Sequence, residues 1–410
     1  MVIRIDMKKV WKEIKYWSQI FLIPVYCLSF LMPRSKRIWV FGSTFGHRFA
    51  DNPKYLYLYV SQVHKDSTKA IWISKDRDIV NNLVSQGLPA YYLYTPKGIW
   101  HCLRAGVYIY DNYSKDVCFL LSGGAKKFNL WHGIPLKKIN RDNLFDYVRN
   151  PRSKREKVKW ALRRIQDEKP SHYVLTTSEF LRPIFSSAFH TKKVIISGYP
   201  RNDALGNMEY KQAASQDELS LRGQIQSRKN KDIKTTVFYM PTFRDTETGF
   251  FDVMDLDSFN AFLKGNQILF CVKLHPKSRI KQYLSKLLYD NIIVIDSLYD
   301  PYPFLKMADR LVTDYSSIYF DFLLTDRPVI FFHYDLEQYL EGSRDMYFDY
   351  NDFTPGEKVT NQNSLEKALL AEDTYREFRE SIRNKVFDDI GQCASEQLYY
   401  RIKGELNHHE

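Results

Sequence analysis

Along most of this chain the apolar residues fall in short, unbroken runs bounded by Gly, Pro, Asn or Asp, with amphipathic stretches between them. The pattern predicts strands at Ile38–Phe41, Ala70–Ser74, Val107–Tyr110, Lys127–Trp131, Tyr173–Thr176 and Val194–Ser197, alternating with helices. A second series starts at Thr236–Tyr239 and continues through Ile268–Leu274, Ile292–Ile295, Arg310–Val312 and Val329–Phe332. Unbroken apolar strands belong to parallel sheets covered by helices on both faces. The expected class is α/β, with two parallel-sheet domains facing a cleft.

The stretch Asn207–Asp232 is polar, has room for one helix and reads as a linker region. From Ser364 to about Lys403 the pattern is helical throughout, a tail able to cross back and brace the first domain. The boundaries expected are 1–36 for a helical arm and 37–206 for the first domain. The linker region takes 207–232, the second domain 233–370 and the closing helices 371–410.

The arm has its own pattern. Arg4, Lys8, Lys12 and Lys15 share one helical face, and Ile3, Met7, Val10, Ile14, Trp17 and Phe21 share another. That is a basic amphipathic helix of the interfacial kind. The apolar run Trp17–Met32 that follows is interrupted by Pro24 and falls short of the roughly 20 residues a membrane span requires. No small-residue cleavage site follows it, which argues against a signal peptide. The arm is expected to rest on a membrane surface.

Length and composition add bounds. At 410 residues, two domains are the natural expectation. The formal charge of +12 points to an anionic partner: nucleic acid, an anionic membrane surface or a phosphorylated substrate. No nucleic-acid recognition motif accompanies the charge, so nucleic acid is not expected. The cysteines are odd in number, scattered and without CxxC spacing, which excludes a zinc site or disulfide framework. No GxGxxG and no GxxxxGK[ST] occurs, against a nicotinamide enzyme and a P-loop NTPase. Asp76-Arg77-Asp78 and Asp255-Leu256-Asp257 match a DxD pattern, but both lie in charged loop-like sequence and are discounted as metal–nucleotide sites.

The chemistry concentrates where strands end. Asp314-Tyr315-Ser316-Ser317 follows one predicted strand, and Lys273-Leu274-His275-Pro276 ends another. Ligands of open α/β sheets bind at the carboxyl ends of strands, and a helix start rich in hydroxyls suits a phosphate. A Lys and a His nearby supply cationic donors, so the pair reads as a diphosphate site of an activated nucleotide donor. Trp131-His132-Gly133 ends a strand of the first domain; His132 there can take a proton from a hydroxyl, and a backbone-bonded histidine is the alternative. Arg201 and Asn202 in Gly198-Tyr199-Pro200-Arg201-Asn202-Asp203, and Arg244 in Pro241-Thr242-Phe243-Arg244-Asp245, are the further candidates; an arginine at a strand end can fork onto phosphate.

These segments, with Arg327-Pro328-Val329-Ile330-Phe331-Phe332 and Tyr347-Phe348-Asp349-Tyr350, run in an order that resembles the CDP-glycerol glycerophosphotransferase family of teichoic-acid and capsular polyol-phosphate synthesis. Phe243 stands where many members of that family carry Trp. The resemblance implies two Rossmann-like domains of GT-B type and an enzyme peripheral to the cytoplasmic face of the cell membrane. It implies transfer of glycerol phosphate from CDP-glycerol to a hydroxyl of a lipid-linked or polymer acceptor, with release of CMP. It makes His132, beside Gly133, the candidate base and His275 the donor to the diphosphate. Ser316 and Ser317 would hold that group, Arg201 and Arg244 would screen it, and Asp314 would shape the turn. No cofactor is expected beyond the donor, with Mg²⁺ left open. Two rivals remain at this point: a glycosyltransferase of the same architecture using a CMP- or UDP-sugar, and a non-enzymatic membrane-bound scaffold.

Overall fold

The computed structural model of the chain describes residues 21–145, 149–163, 171–206, 213–244, 248–275, 289–336 and 346–407. It also describes single positions at Val10, Trp11, Ile14, Trp17, Ser278 and Ile280. Most of the basic amphipathic helix expected at Arg4–Phe21 therefore lies outside the described residues.

Two parallel sheets form the body. The first has strands β1 (Ser35–Phe41), β2 (Lys69–Ser74), β3 (Ala90–Tyr92), β4 (Ala105–Tyr110), β5 (Lys126–Asn129), β6 (Tyr173–Thr176) and β7 (Val194–Ile196), in the order β3-β2-β1-β4-β5-β6-β7. The second has β8 (Thr235–Tyr239), β9 (Ile268–Val272), β10 (Ile292–Val294), β11 (Arg310–Thr313), β12 (Val329–Phe332) and β13 (Glu357–Val359), in the order β10-β9-β8-β11-β12-β13. All pairings between these strands are parallel. The central strands are buried at nearly every position, because helices cover both faces. In each sheet the strand order reverses once, between β1 and β4 and between β8 and β11. Chain crossovers leave in opposite directions at those points and open a crevice at the carboxyl ends of the strands.

The apolar runs became strands with small shifts of boundary. The run Lys127–Trp131 ends as strand at Asn129, because Trp131 turns to φ +53 and its N–H is taken by the Asn129 side chain at 2.9 Å. The segment Ser364–Lys403 is not one continuous helix: it holds Gln362–Leu370, Arg376–Val386 and Ala394–Asn407, separated by short breaks. Within the polar stretch Asn207–Asp232 a helix runs over Gln216–Lys231, with Ser215 capping its start. Both DxD matches are helix caps: Asp76 accepts from the N–H of Asp78, and Asp255 from those of Asp257 and Ser258.

The final helix, Ala394–Asn407, returns to the first sheet. Tyr399 stacks on His64 with ring centroids 3.9 Å apart, and its hydroxyl meets Thr68 Oγ1 at 3.0 Å. Asp203 caps that helix through the N–H groups of Ala394 (2.7 Å) and Ser395 (3.0 Å). Gly198 makes the close approach possible, since a Cβ there would stand 2.8 Å from the Ala394 Cβ. The two halves also meet through buried charge. Lys54 Nζ lies 2.5 Å from Asp300 Oδ2, which also accepts from the Tyr55 hydroxyl at 2.8 Å.

Candidate active site

Loops at the carboxyl ends of the two sheets face each other across a cleft of about 490 Å³. The loop after β1 contributes Arg48 and Asp51, and the loop after β5 contributes His132, Gly133 and Lys137. From the second sheet come Lys273 and His275 after β9, and Ser316 and Ser317 after β11. The proposed base and the proposed diphosphate residues thus line one space.

His132 is held rather than merely present. Its Nδ1 lies 3.2 Å from the backbone carbonyl of Asp111. A carbonyl only accepts, so Nδ1 carries the proton and Nε2 is left as the acceptor nitrogen. The bond to a backbone carbonyl weighed as an alternative is therefore real, but the ring is still open to the cleft and the bond orients it. Protein surrounds the cleft floor, and this desolvation disfavours the imidazolium; it outweighs the nearby Asp51 carboxylate and brings the pKa below 6.5. The ring packs on Trp131, centroids 3.9 Å apart, and Trp131 in turn meets Phe189 edge-on. Asn52 fixes the same loop by donating to the carbonyls of Leu130 (3.2 Å) and Trp131 (2.9 Å).

Behind His132 sit two buried carboxyl groups. Asp111 accepts from Ser43 Oγ at 2.6 Å and from the Thr44 N–H at 3.2 Å; Asp116 accepts from the N–H groups of Phe45 (2.7 Å) and Asn112 (2.8 Å). Burial and the neighbouring Asp116 charge push the Asp111 carboxyl well above its ordinary range. The pair ties the loop after β1 to the loop after β4. Thr44 and Phe45 are kept there at φ +47 and +58, a conformation that side-chain-bearing residues rarely adopt.

Arg201 lines the cleft, yet its charge is already balanced. Its guanidinium meets Asp51 Oδ1 at 2.8 Å and Asp321 Oδ2 at 2.6 Å, and the rings of Tyr199 and Tyr302 flank it. Burial opposes its charge, but Asp321 and Asp51 together raise its pKa well above the usual value. The expected role of screening a donor phosphate is corrected to joining the two halves. Asn202 is not part of the cleft wall; its amide neighbours the Asp321 carboxylate. Gly133, at φ +142, fits between the halves: a Cβ there would stand 3.0 Å from Arg201 Nη2 and 3.2 Å from Ser317 Oγ.

Arg244 is corrected in the same way. It pairs with Asp314 Oδ2 at 2.7 Å and Asp335 Oδ2 at 2.5 Å and is nearly buried, so it does not offer its charge to the cleft. Asp314 is fully buried and accepts from the N–H groups of Thr242 (2.8 Å) and Ser316 (3.2 Å). It builds the turn. Ser317 stands at the start of the short helix Ile318–Phe322, but its hydroxyl makes no capping bond. Lys273 donates to the Asp296 carbonyl at 2.7 Å; burial and then the nearby Arg48 charge bring its pKa down to about 8. His275 is exposed to the cleft with the Phe243 ring 5.0 Å away; Pro276 lies outside the described residues.

Besides Arg201, basic side chains on the cleft wall include Lys273, His275, Arg48 and Lys137. Arg48 donates to the Ser297 carbonyl at 3.0 Å across the domain boundary, and Lys137 lies 5.9 Å from the centre of the Tyr315 ring. Sequence reasoning missed Arg48, Asp51 and Asn52. Their signal was positional only: they follow the first strand, at the edge where ligands bind. Among the described residues no group of three His, Cys, Asp or Glu is placed to hold a metal ion.

Comparison with known proteins bears on the fold and the family. The family model described as CDP-Glycerol:Poly(glycerophosphate) glycerophosphotransferase matches residues 25–404. A "teichoic acid poly(glycerol phosphate) polymerase" of Bacillus spizizenii is 27% identical over 375 residues, covering 87% of this chain and 90% of the relative. A "teichoic acid glycerol-phosphate transferase" of Staphylococcus aureus is 29% identical, covering 85% of this chain and 87% of the relative. Among solved structures, the wall teichoic acid polymerase TagF soaked with CDPG superposes with a TM-score of 0.74 at 25% identity, over 98% of this chain and 99% of that one. The match spans both sheets, the cleft between them and the returning helix, and on that basis the chain belongs to the CDP-glycerol:poly(glycerophosphate) glycerophosphotransferase family.

Proposed function

We propose that the cleft carries out in-line transfer of a glycerol phosphate unit from CDP-glycerol to a hydroxyl of a membrane-linked acceptor, releasing CMP. The chain is a CDP-glycerol glycerophosphotransferase of wall-polymer synthesis; the finer assignments are our reading. His132 Nε2 takes the proton of the acceptor hydroxyl as its oxygen bonds to the β-phosphorus. The bond from that phosphorus to the bridging oxygen breaks, and CMP leaves with the electron pair. Phosphoryl transfer of this kind needs positioning and charge neutralisation more than covalent help. Lys273 and His275 face the diphosphate, and the hydroxyls of Ser316 and Ser317 hold it. The observation that carries the reading is the convergence of His132 from one sheet and these residues from the other on a single cleft.

The test is donor profiling. Purified protein is incubated with CDP-glycerol, CDP-ribitol and UDP- and CMP-sugars, and nucleotide release is scored with a glycerol phosphate oligomer as acceptor. CMP release from CDP-glycerol is expected; release from a nucleotide sugar alone would overturn the assignment. No resident metal is proposed, and chelator titration in the same assay reads any part played by Mg²⁺ bound to the donor.

Lys273 supplies a pH signature. A cation is needed to meet the diphosphate, and the charge on Lys273 is lost as pH rises through about 8. Donor affinity is therefore expected to fall between pH 7 and 9, up to about tenfold per pH unit above the pKa. In a Lys273→Met variant it should be weaker at pH 7 and nearly flat over that range. Isothermal titration with CDP-glycerol reads both.

No described helix is long and apolar enough to cross a membrane. We place the protein at the cytoplasmic face of the membrane, where nucleotide donors are available, held peripherally.

A further inference from the structure

The fixed charges of the cleft wall are cations with one exception. Arg48, Lys137, Arg201 and Lys273 line it, and Asp51 is the single acidic side chain among the described residues that do. A carboxylate repels the phosphates that those cations attract. The space beside it suits an uncharged, hydroxyl-bearing part of a substrate.

Asp51 is held there in an unfavourable backbone conformation. It opens the helix Asp51–Val63 at φ +61, in the left-handed region. It is not the cap of that helix, since Ala50 holds the N-cap position. Strain of this kind gathers at ligand-binding positions. The protein uses one of its two carboxylate oxygens. Oδ1 accepts from the Asn52 N–H at 2.8 Å and from Arg201 Nη1 at 2.8 Å. Oδ2 accepts from no group among the described residues, and the side chain is 24% exposed. Balancing Arg201 thus leaves the second oxygen for the cleft.

The next residue ties this oxygen to the base. Asn52 donates to the carbonyls of Leu130 and Trp131, the two residues before His132. Asp51 and His132 therefore belong to one bonded unit of the first domain, and the Asp51 charge acts on the His132 ring. A carboxylate oxygen only accepts, so its partner in a substrate is a donor such as a hydroxyl. We propose that Asp51 recognises the acceptor. Its Oδ2 takes a hydrogen bond from the hydroxyl next to the attacking one, so the cleft selects an acceptor that ends in a vicinal diol. Holding both hydroxyls fixes rotation about the carbon–carbon bond between them and aims the attacking oxygen. The inference deepens the transfer reading above by naming its acceptor class, and it rests on that reading.

The experiment compares two water-soluble acceptors, with CDP-glycerol as donor. One is the methyl phosphodiester of glycerol; the other is the same ester with hydrogen in place of the middle hydroxyl. Wild type is expected to favour the diol by about 10–100-fold in kcat/KM, the span of one hydrogen bond to a charged group. Asp51→Asn suits a left-handed position and keeps one oxygen for Arg201 and the Asn52 N–H. It should shrink the preference to about threefold or less, the charged acceptor being gone. By isothermal titration the variant should bind CDP-glycerol at least as tightly as wild type, because a negative charge has been removed. An unchanged diol preference in Asp51→Asn would overturn the proposal. So would an equal loss with both acceptors or a loss of donor binding, either of which assigns Asp51 to the support of the cleft alone. No CMP release by wild type with either acceptor would count against the transfer reading itself. Release with both at equal kcat/KM would leave that reading standing and overturn this one.

Discussion

Replacing His132 by Ala is expected to lower CMP release in the presence of acceptor by about 10²–10⁴-fold, the usual contribution of a positioned general base. CDP-glycerol affinity should change little, because the diphosphate is met by groups of the second sheet. The argument rests on geometry first. With Nδ1–H donated to the Asp111 carbonyl, only Nε2 can accept the acceptor's proton, and the ring opens onto the cleft. It rests on acidity second. Desolvation by the protein around the cleft floor keeps the imidazolium disfavoured, so His132 is neutral and ready at pH 7. As pH falls, kcat/KM should decline only below about 6.5, the value of an unperturbed histidine. A His132→Gln variant should lack this acid limb altogether. Full activity in either variant would remove His132 from the chemistry. A limb unmoved in the variant would assign it to another group.

The largest effect on stability is expected from Arg201→Met. Arg201 and Asp321 are both buried, and the pair is 2.6 Å apart. Deleting the cation leaves the Asp321 carboxylate with the Tyr302 hydroxyl at 2.8 Å and no counter-charge. Breaking such a buried pair from one side typically costs about 3–5 kcal/mol. Urea unfolding should show a loss of that order. The double variant Arg201→Met with Asp321→Asn should recover most of it, since the fully buried charge is gone and the other partner, Asp51, is partly exposed to water. A loss in the single variant below about 1 kcal/mol would mean that water reaches Asp321 and that the pair does not join the halves.

The sheets were legible because their central strands are buried on both faces and therefore written as unbroken apolar runs. Two strands were not. β3 is only Ala90-Tyr91-Tyr92, and β13 is Glu357-Lys358-Val359, an edge strand with a polar half. Both lie at sheet margins, where burial no longer imposes an apolar pattern. At the site, His132, Lys273, His275, Ser316 and Ser317 could be read because each sits just past a strand and the sheet gathers such positions at one edge. Arg201 and Arg244 could be read as cations but not as paired ones. Their carboxylate partners Asp321 and Asp335 lie 120 and 91 positions further along the chain. No local pattern carries that information. Arg48, Asp51 and Asn52 belong to a loop whose order depends on buried carboxyl groups beyond residue 110, and only the fold connects them.

The two buried ion pairs between the halves have a mechanical consequence. Lys54–Asp300 and Arg201–Asp321 are both costly to break. The halves are bonded as well from the Tyr347 N–H to the Leu136 carbonyl at 2.9 Å and from the Tyr347 hydroxyl to Asp142 at 2.6 Å. Leu136 belongs to the loop that carries His132, so the distance from His132 to an incoming phosphorus is set by the assembled body and not by a swing of one half.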